Sequence, residues 1–195
     1  MGTLTGKRLK LLPSRTTTWG QWMELPPNTK VLRRNLGLLP GGPDAYDRAS
    51  FGGYRDRVNS GRFAFPVSEE KLDTRLRPAD WVLATEVDGL HKAYWLSELG
   101  DMVVNDVVGG REAVVVMRAE GPTGAAFFSQ AGGVSLTFRL VGRRVVDDQT
   151  GSLWDDAGRA VGGPLTRTEL EAVPSRTTYW FSLAGALPGI ELHVP

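Results

Sequence analysis

The side chains able to do chemistry are few, and they gather in two stretches. The first is Asp147-Asp148-Gln149-Thr150-Gly151-Ser152-Leu153-Trp154. If this run is extended, Asp148, Thr150, Ser152 and Trp154 share one face. A carboxylate, two hydroxyls and an indole would then line a small polar site. The same residues read equally well as a turn. Asp148 would accept backbone N–H bonds, Gly151 would supply a positive φ, and Trp154 would enter the core. The second stretch is Asn105-Asp106, set inside an apolar run from Met102 to Val108. Polar groups buried there need partners or a ligand. Asp106 and Asp148 together could form a carboxylate pair for acid–base work. Nothing in their spacing requires it, and no catalytic residue is assigned.

Arg15-Thr16-Thr17 recurs as Arg176-Thr177-Thr178. Such an arginine can bind an anion beside a helix start. It can equally bridge carbonyls, and a residue present at both places more simply serves packing. Three short basic clusters, Lys7-Arg8, Arg33-Arg34 and Arg143-Arg144, read as solvated strands or turns.

What the chain lacks narrows the chemistry. It has no cysteine, which removes disulfides, thiolate nucleophiles and Cys-ligated metals. It has two histidines, His91 and His193, neither in a recognisable motif. No metal ligand set and no cofactor is assigned. The 23 basic and 22 acidic residues nearly cancel, so the electrostatic case for nucleic acid is missing. No apolar run approaches a membrane span. Lys7, Arg8 and Lys10 are followed by no adequate apolar stretch, so no targeting signal is read. The compartment stays unassigned, with export expected if a longer precursor carries a signal peptide.

The elements that must position these groups include a repeat. Residues 2–34 align with residues 163–195 without a gap. Pro13-Ser14-Arg15-Thr16-Thr17 meets Pro174-Ser175-Arg176-Thr177-Thr178, and Trp19 meets Trp180. Roughly eleven of the aligned positions are identical, several times the chance level. Each copy predicts a strand, a bend at proline, a short helix and a second strand. In the first copy Ser14 or Thr16 would cap a helix from Trp19 to Leu25. Trp19, Trp22 and Met23 then share one face.

Between the copies, residues 35–80 hold Tyr46, Phe51, Tyr54, Phe63 and Phe65 among Gly, Asp and Arg, with no sustained period. Five aromatics point to a connector packed on the body rather than a free linker. From Trp81 the pattern is a meander of short strands. Asp88-Gly89 predicts a tight hairpin. Val114-Val115-Val116 predicts a buried strand, and Val134 to Val141 an alternating one. The expected fold is mainly β with short helices, an antiparallel sandwich or barrel-like meander of tandem-repeat origin. Its parts are a closing segment of a preceding unit (1–34), the aromatic connector (35–80) and a complete β-rich unit (81–195).

The motifs in this order resemble the domain-of-unknown-function family 3179. They include Glu86-Val87-Asp88-Gly89 with Lys92-Ala93-Tyr94, Val104-Asn105-Asp106 with Gly109-Gly110, and the Asp147–Trp154 run followed by Gly158-Arg159-Ala160 and Gly163-Pro164-Leu165. The resemblance also takes in Thr16-Thr17-Thr18-Trp19, Tyr46-Asp47-Arg48 and Phe65-Pro66-Val67. It implies two such units in tandem, the first with a Cys-Pro-Leu-Cys-type motif. Here the corresponding strand ends Val116-Met117-Arg118-Ala119-Glu120 without cysteine. The chain then corresponds to the second, cysteine-free unit preceded by the tail of the first. The family brings no established activity with it.

Three functional readings follow. The first is a non-catalytic binding or structural module. The second is a hydrolase-type enzyme, which requires Asp106, Asp148 and Arg176 to converge. The third is the accessory half of a metal or redox protein whose cysteine-bearing unit lies elsewhere. In each, Trp19 and Trp22 need a cover: the body of this chain, a preceding unit, or a second copy in a homo-oligomer.

Overall fold

The computed structural model describes residues 2–7, 12–24, 30, 53–68, 72–96 and 100–194. Its helices are α1 (Trp19–Met23), α2 (Tyr54–Asn59) and α3 (Trp180–Ala186). Its strands are β1 (Trp81–Val87), β2 (Leu90–Trp95), β3 (Met102–Val108), β4 (Arg111–Arg118), β5 (Thr123–Phe128), β6 (Gln130–Ala131), β7 (Val134–Ser135), β8 (Phe138–Val141), β9 (Arg144–Asp147), β10 (Leu153–Trp154), β11 (Ala160–Gly162), β12 (Ser175–Tyr179) and β13 (Glu191–His193).

β4 lies at the centre because both of its faces are apolar. Ala113, Val115 and Met117 point one way, and Val114 and Val116 the other. β-Branched side chains at this density favour a pleated strand buried on two sides. β4 pairs antiparallel with β3 and β5. One face of this sheet packs on the sheet β12-β1-β2-β13 through Leu83, Tyr94, Phe128 and Val173. The other packs on the sheet β11-β10-β9-β8 through Phe127, Phe138, Val145 and Trp154. The fold is therefore mainly β and sandwich-like, with three stacked layers and, among the described residues, no closed barrel.

α3 adds a fourth layer. Trp180, Leu183 and Ala184 cover Val82, Ala84 and Ala93, the side of β1 and β2 turned away from β4. On the far side of α3, Phe181 meets Val58 and Ala79, flanked by Tyr54 and Phe63. Tyr46 and Phe51 lie outside the described residues.

The β1–β2 hairpin turns through Asp88 at φ 50° and Gly89 at φ 77°, the pair of positive values that a two-residue turn of this twist needs. At the β3–β4 turn, a Cβ on Gly109 would lie 2.5 Å from Val87 Cβ, at a φ of 57°. Gly109→Ala is expected to cost about 2 kcal/mol, since Val87 is stiff and the backbone angle disfavours any side chain. A urea melt checks this; a loss below about 0.5 kcal/mol would show that the two hairpins move apart freely.

Four expectations need correction. The strand expected from Val134 to Val141 is two strands. Leu136 N–H donates to Ser129 O and Thr137 N–H to Gln149 Oε1, which bends the chain from one sheet into the next. β13 runs parallel to β2, so that sheet is mixed. The cap of α1 is Thr18, not Ser14 or Thr16. Its hydroxyl accepts from Gln21 N–H while Gln21 Oε1 accepts from Thr18 N–H. Residues 54–59, expected to be irregular, form α2 around the buried Val58. The expected end of α1 at Leu25 and the second strand expected after it lie outside the described residues.

The two aligned stretches, 2–34 and 163–195, share some local geometry where both are described. Trp19 opens α1 and Trp180 opens α3, each after an extended cap residue (ψ 158° at Thr18, 146° at Tyr179). The equivalent serines also touch. Ser14 N–H and Oγ donate to Ser175 O at 2.9 and 3.1 Å. Among the described residues, no helix is long and apolar enough to cross a membrane.

Candidate functional site

A cleft of about 380 Å³ opens where residues 15–24 cross the ends of β4 and β9. Arg15, Thr17, Thr18, Gln21 and Glu24 form one wall. Arg118, Glu120, Arg143, Arg144, Trp154 and Asp156 form the other. Its size suits a small ligand.

Arg118 anchors the floor. It follows Val114 and Val116 at a spacing of two, so it faces the same interior side. Nε donates to Asp156 Oδ2 at 2.9 Å and NH1 to Asp101 Oδ2 at 3.0 Å. Burial opposes its charge, but Asp156 and Asp101 outweigh that and raise its pKa. Asp101 also accepts from Ala119 N–H. Arg143 continues the chain of charges at the mouth, 3.1 Å from Glu120. Arg15 donates to the backbone carbonyl of Asp156 and makes no ion pair among the described residues.

The polar run near Trp154 does converge, but around Asp147. This carboxylate is fully buried. It accepts from Thr150 N–H at 2.6 Å, Thr150 Oγ1 at 2.8 Å, Ser152 N–H at 3.1 Å and Trp154 Nε1 at 2.9 Å. Ser152 Oγ in turn accepts from Leu165 N–H. The group is a closed turn with every bond used internally. Asp148 stands outside it, exposed, paired with Arg139 at 2.7 Å and accepting from Thr137 Oγ1.

Asn105 and Asp106 point to opposite faces of the central sheet. Asn105 clamps β8 to β3: its Nδ2 donates to Phe138 O and its Oδ1 accepts from Phe138 N–H, both at 2.8 Å. Asp106 accepts from Tyr94 Oη at 2.9 Å and sits 2.8 Å from Lys92 Nζ. Lys92 also reaches Glu191 on β13. Burial raises the Asp106 pKa, but Lys92, Val107 N–H and Tyr94 outweigh it, and the carboxyl lies below its ordinary range. Arg176 is exposed on β12. Thus Thr150, Ser152 and Trp154 come together, whereas Asp106, Asp148 and Arg176 have separate surroundings.

Lys92→Met is expected to loosen β13 from β2, costing about 2 kcal/mol, because Asp106 and Glu191 lose their shared cation. Faster amide exchange across Glu191–His193 is the readout; unchanged exchange would make the backbone ladder alone sufficient.

The cleft residues were only partly visible in the sequence. Arg15 and Arg143-Arg144 stood out as clusters, but Arg118, Asp101 and Asp156 did not. The parity of Arg118 with Val114 and Val116 was the available signal.

No curated protein and no solved structure matches the chain. A match to proteins of unknown function, DUF3179, runs over residues 1–188, nearly the whole chain. The chain belongs to the DUF3179 family of proteins of unknown function.

Proposed function

We propose that this protein is a non-catalytic binding or structural β module whose first closing segment docks on another β-rich unit. One observation carries the reading. Positions equivalent under the repeat have opposite burial. Val173 and Trp180 are fully buried, while Leu12 and Trp19 are 70% and 62% exposed. Ala184 is buried and its counterpart Met23 is 64% exposed. Trp22 is half-buried where Leu183 is buried. In the second copy Trp180, Leu183 and Ala184 rest on Val82, Ala84 and Ala93 of β1 and β2, while Val173 enters the opposite core with Leu83 and Tyr94. The first copy carries the same kind of apolar face without such a sheet beneath it. A preceding unit or a second copy of the chain would supply that sheet. Contiguous exposed apolar residues of this kind mark contact surfaces.

The non-catalytic part is supported by the separate surroundings of Asp106, Asp148 and Arg176. Asp106 binds the sheets together, and Asp148 pairs with Arg139 at the surface.

Light scattering on the purified chain tests the docking face. Without its proper cover, the wild-type chain is expected to self-associate, with a mass above 21.2 kDa that falls on dilution. The Trp19→Asp, Met23→Asp double variant is expected to stay monomeric. A wild-type chain that remains monomeric up to about 1 mM, as the variant does, would remove this reading.

A further inference from the structure

The cleft between the first closing segment and the body is a second, independent feature. Most of its charges are used internally. Arg118 pairs with both Asp101 and Asp156, Arg143 with Glu120, and Arg159 with Asp155. Two cations stand outside these ion pairs. Arg15 is part-buried, and its guanidinium donates only to a carbonyl. Arg144 lines the same cleft and has no side-chain partner among the described residues. A part-buried cation with no direct ion pair is a costly arrangement, which an anion in contact relieves. The direction of the Arg15 shift agrees. Burial lowers its pKa despite Asp156 and Asp155 nearby, so its charge is incompletely compensated.

We infer that this cleft binds a small molecule through one oxyanion group, a carboxylate or a phosphate, held between Arg15 and Arg144. The Thr18 hydroxyl, which accepts from Gln21 N–H, lies in the same wall and can donate a further hydrogen bond. Glu24, on the α1 side of the rim, is unpaired among the described residues and selects against ligands carrying several negative groups. Because one wall belongs to the closing segment and the other to the body, the ligand also ties the two together.

Calorimetric titration of the full chain with butyrate and, separately, with inorganic phosphate tests the inference and tells the two oxyanions apart. Saturable one-to-one binding of at least one is expected. Arg144→Ala removes an exposed side chain without partners, so the fold is retained; affinity is expected to fall about tenfold or more. Arg139→Ala, which alters an arginine paired elsewhere with Asp148, should leave affinity unchanged. Arg15→Gln should weaken binding further. Two outcomes overturn the inference. One is the absence of saturable binding by either anion up to about 20 mM. The other is equal affinity in wild type and Arg144→Ala, the mark of an adventitious ion only.

Discussion

Trp180→Ala is expected to lower the unfolding free energy by about 3–5 kcal/mol, while Trp19→Ala changes it by less than about 0.5 kcal/mol. The two tryptophans align in the sequence and each opens a helix. Their surroundings set the difference. Trp180 is fully buried against Val82, Ala84 and Ala93, and its Nε1 donates to Asp73 O at 2.9 Å. Arg75 lies over its ring at 5.1 Å. Truncation would leave a large void between α3 and the sheet and orphan the Asp73 carbonyl. Trp19 projects mostly into solvent, so its loss removes little from the isolated chain. Urea melts of the two variants give both numbers. Equal losses would mean that Trp19 is already covered within the chain, and the docking proposal would go with that result.

Asp147→Ala should cost about 3–5 kcal/mol, since it strips the acceptor from buried N–H and O–H groups on Thr150, Ser152 and Trp154. Asp147→Asn should cost less, because one oxygen still accepts, although its amide must face donors. The same bonds predict a sensitivity to acid. Burial pushes the Asp147 pKa up, but the bonds from Trp154, Thr150 and Ser152 outweigh it and set the carboxyl below its ordinary range. A carboxylate lowered in the native state adds stability above its unfolded pKa. That contribution is lost as the pH falls through the native value. Wild type is therefore expected to weaken as the pH falls below about 5, and Asp147→Asn to show a shallower decline. Parallel acid slopes in the two proteins would place the sensitivity in other carboxylates.

Much of the fold could be read from residue order. The Asp88-Gly89 hairpin follows from turn chemistry, and the double-sided burial of β4 from its valines. Trp180, Leu183 and Ala184 share a helical face by spacing alone. Other features depend on contacts that no local pattern encodes. The direction of β13 is set by where the chain re-enters the sheet, beside β2 rather than β12. α2 has a single buried residue, Val58, too little for a periodic signal. At the polar run, an extended reading puts Asp148 with Thr150 and Ser152. The turn closed by Gly151 N–H on Asp147 O shifts the parity by one, so Asp147 takes the interior place. The cleft was the least legible part. Its walls come from residues far apart in the chain, and only the fold brings Arg15 to Asp156.

The parallel seating of β13 on β2 also has a bearing on how the protein is made. A ribosome delivers β2 long before Glu191–His193 exist, and until then that side of β2 is an open edge. Lys92 waits with it, since one of its two carboxylate partners, Glu191, arrives only with β13. Nascent or prematurely terminated chains thus expose an unpaired strand beside a half-matched charge. Such an edge is a place where chaperones can hold the chain and where, unguarded, unfinished chains would add to one another.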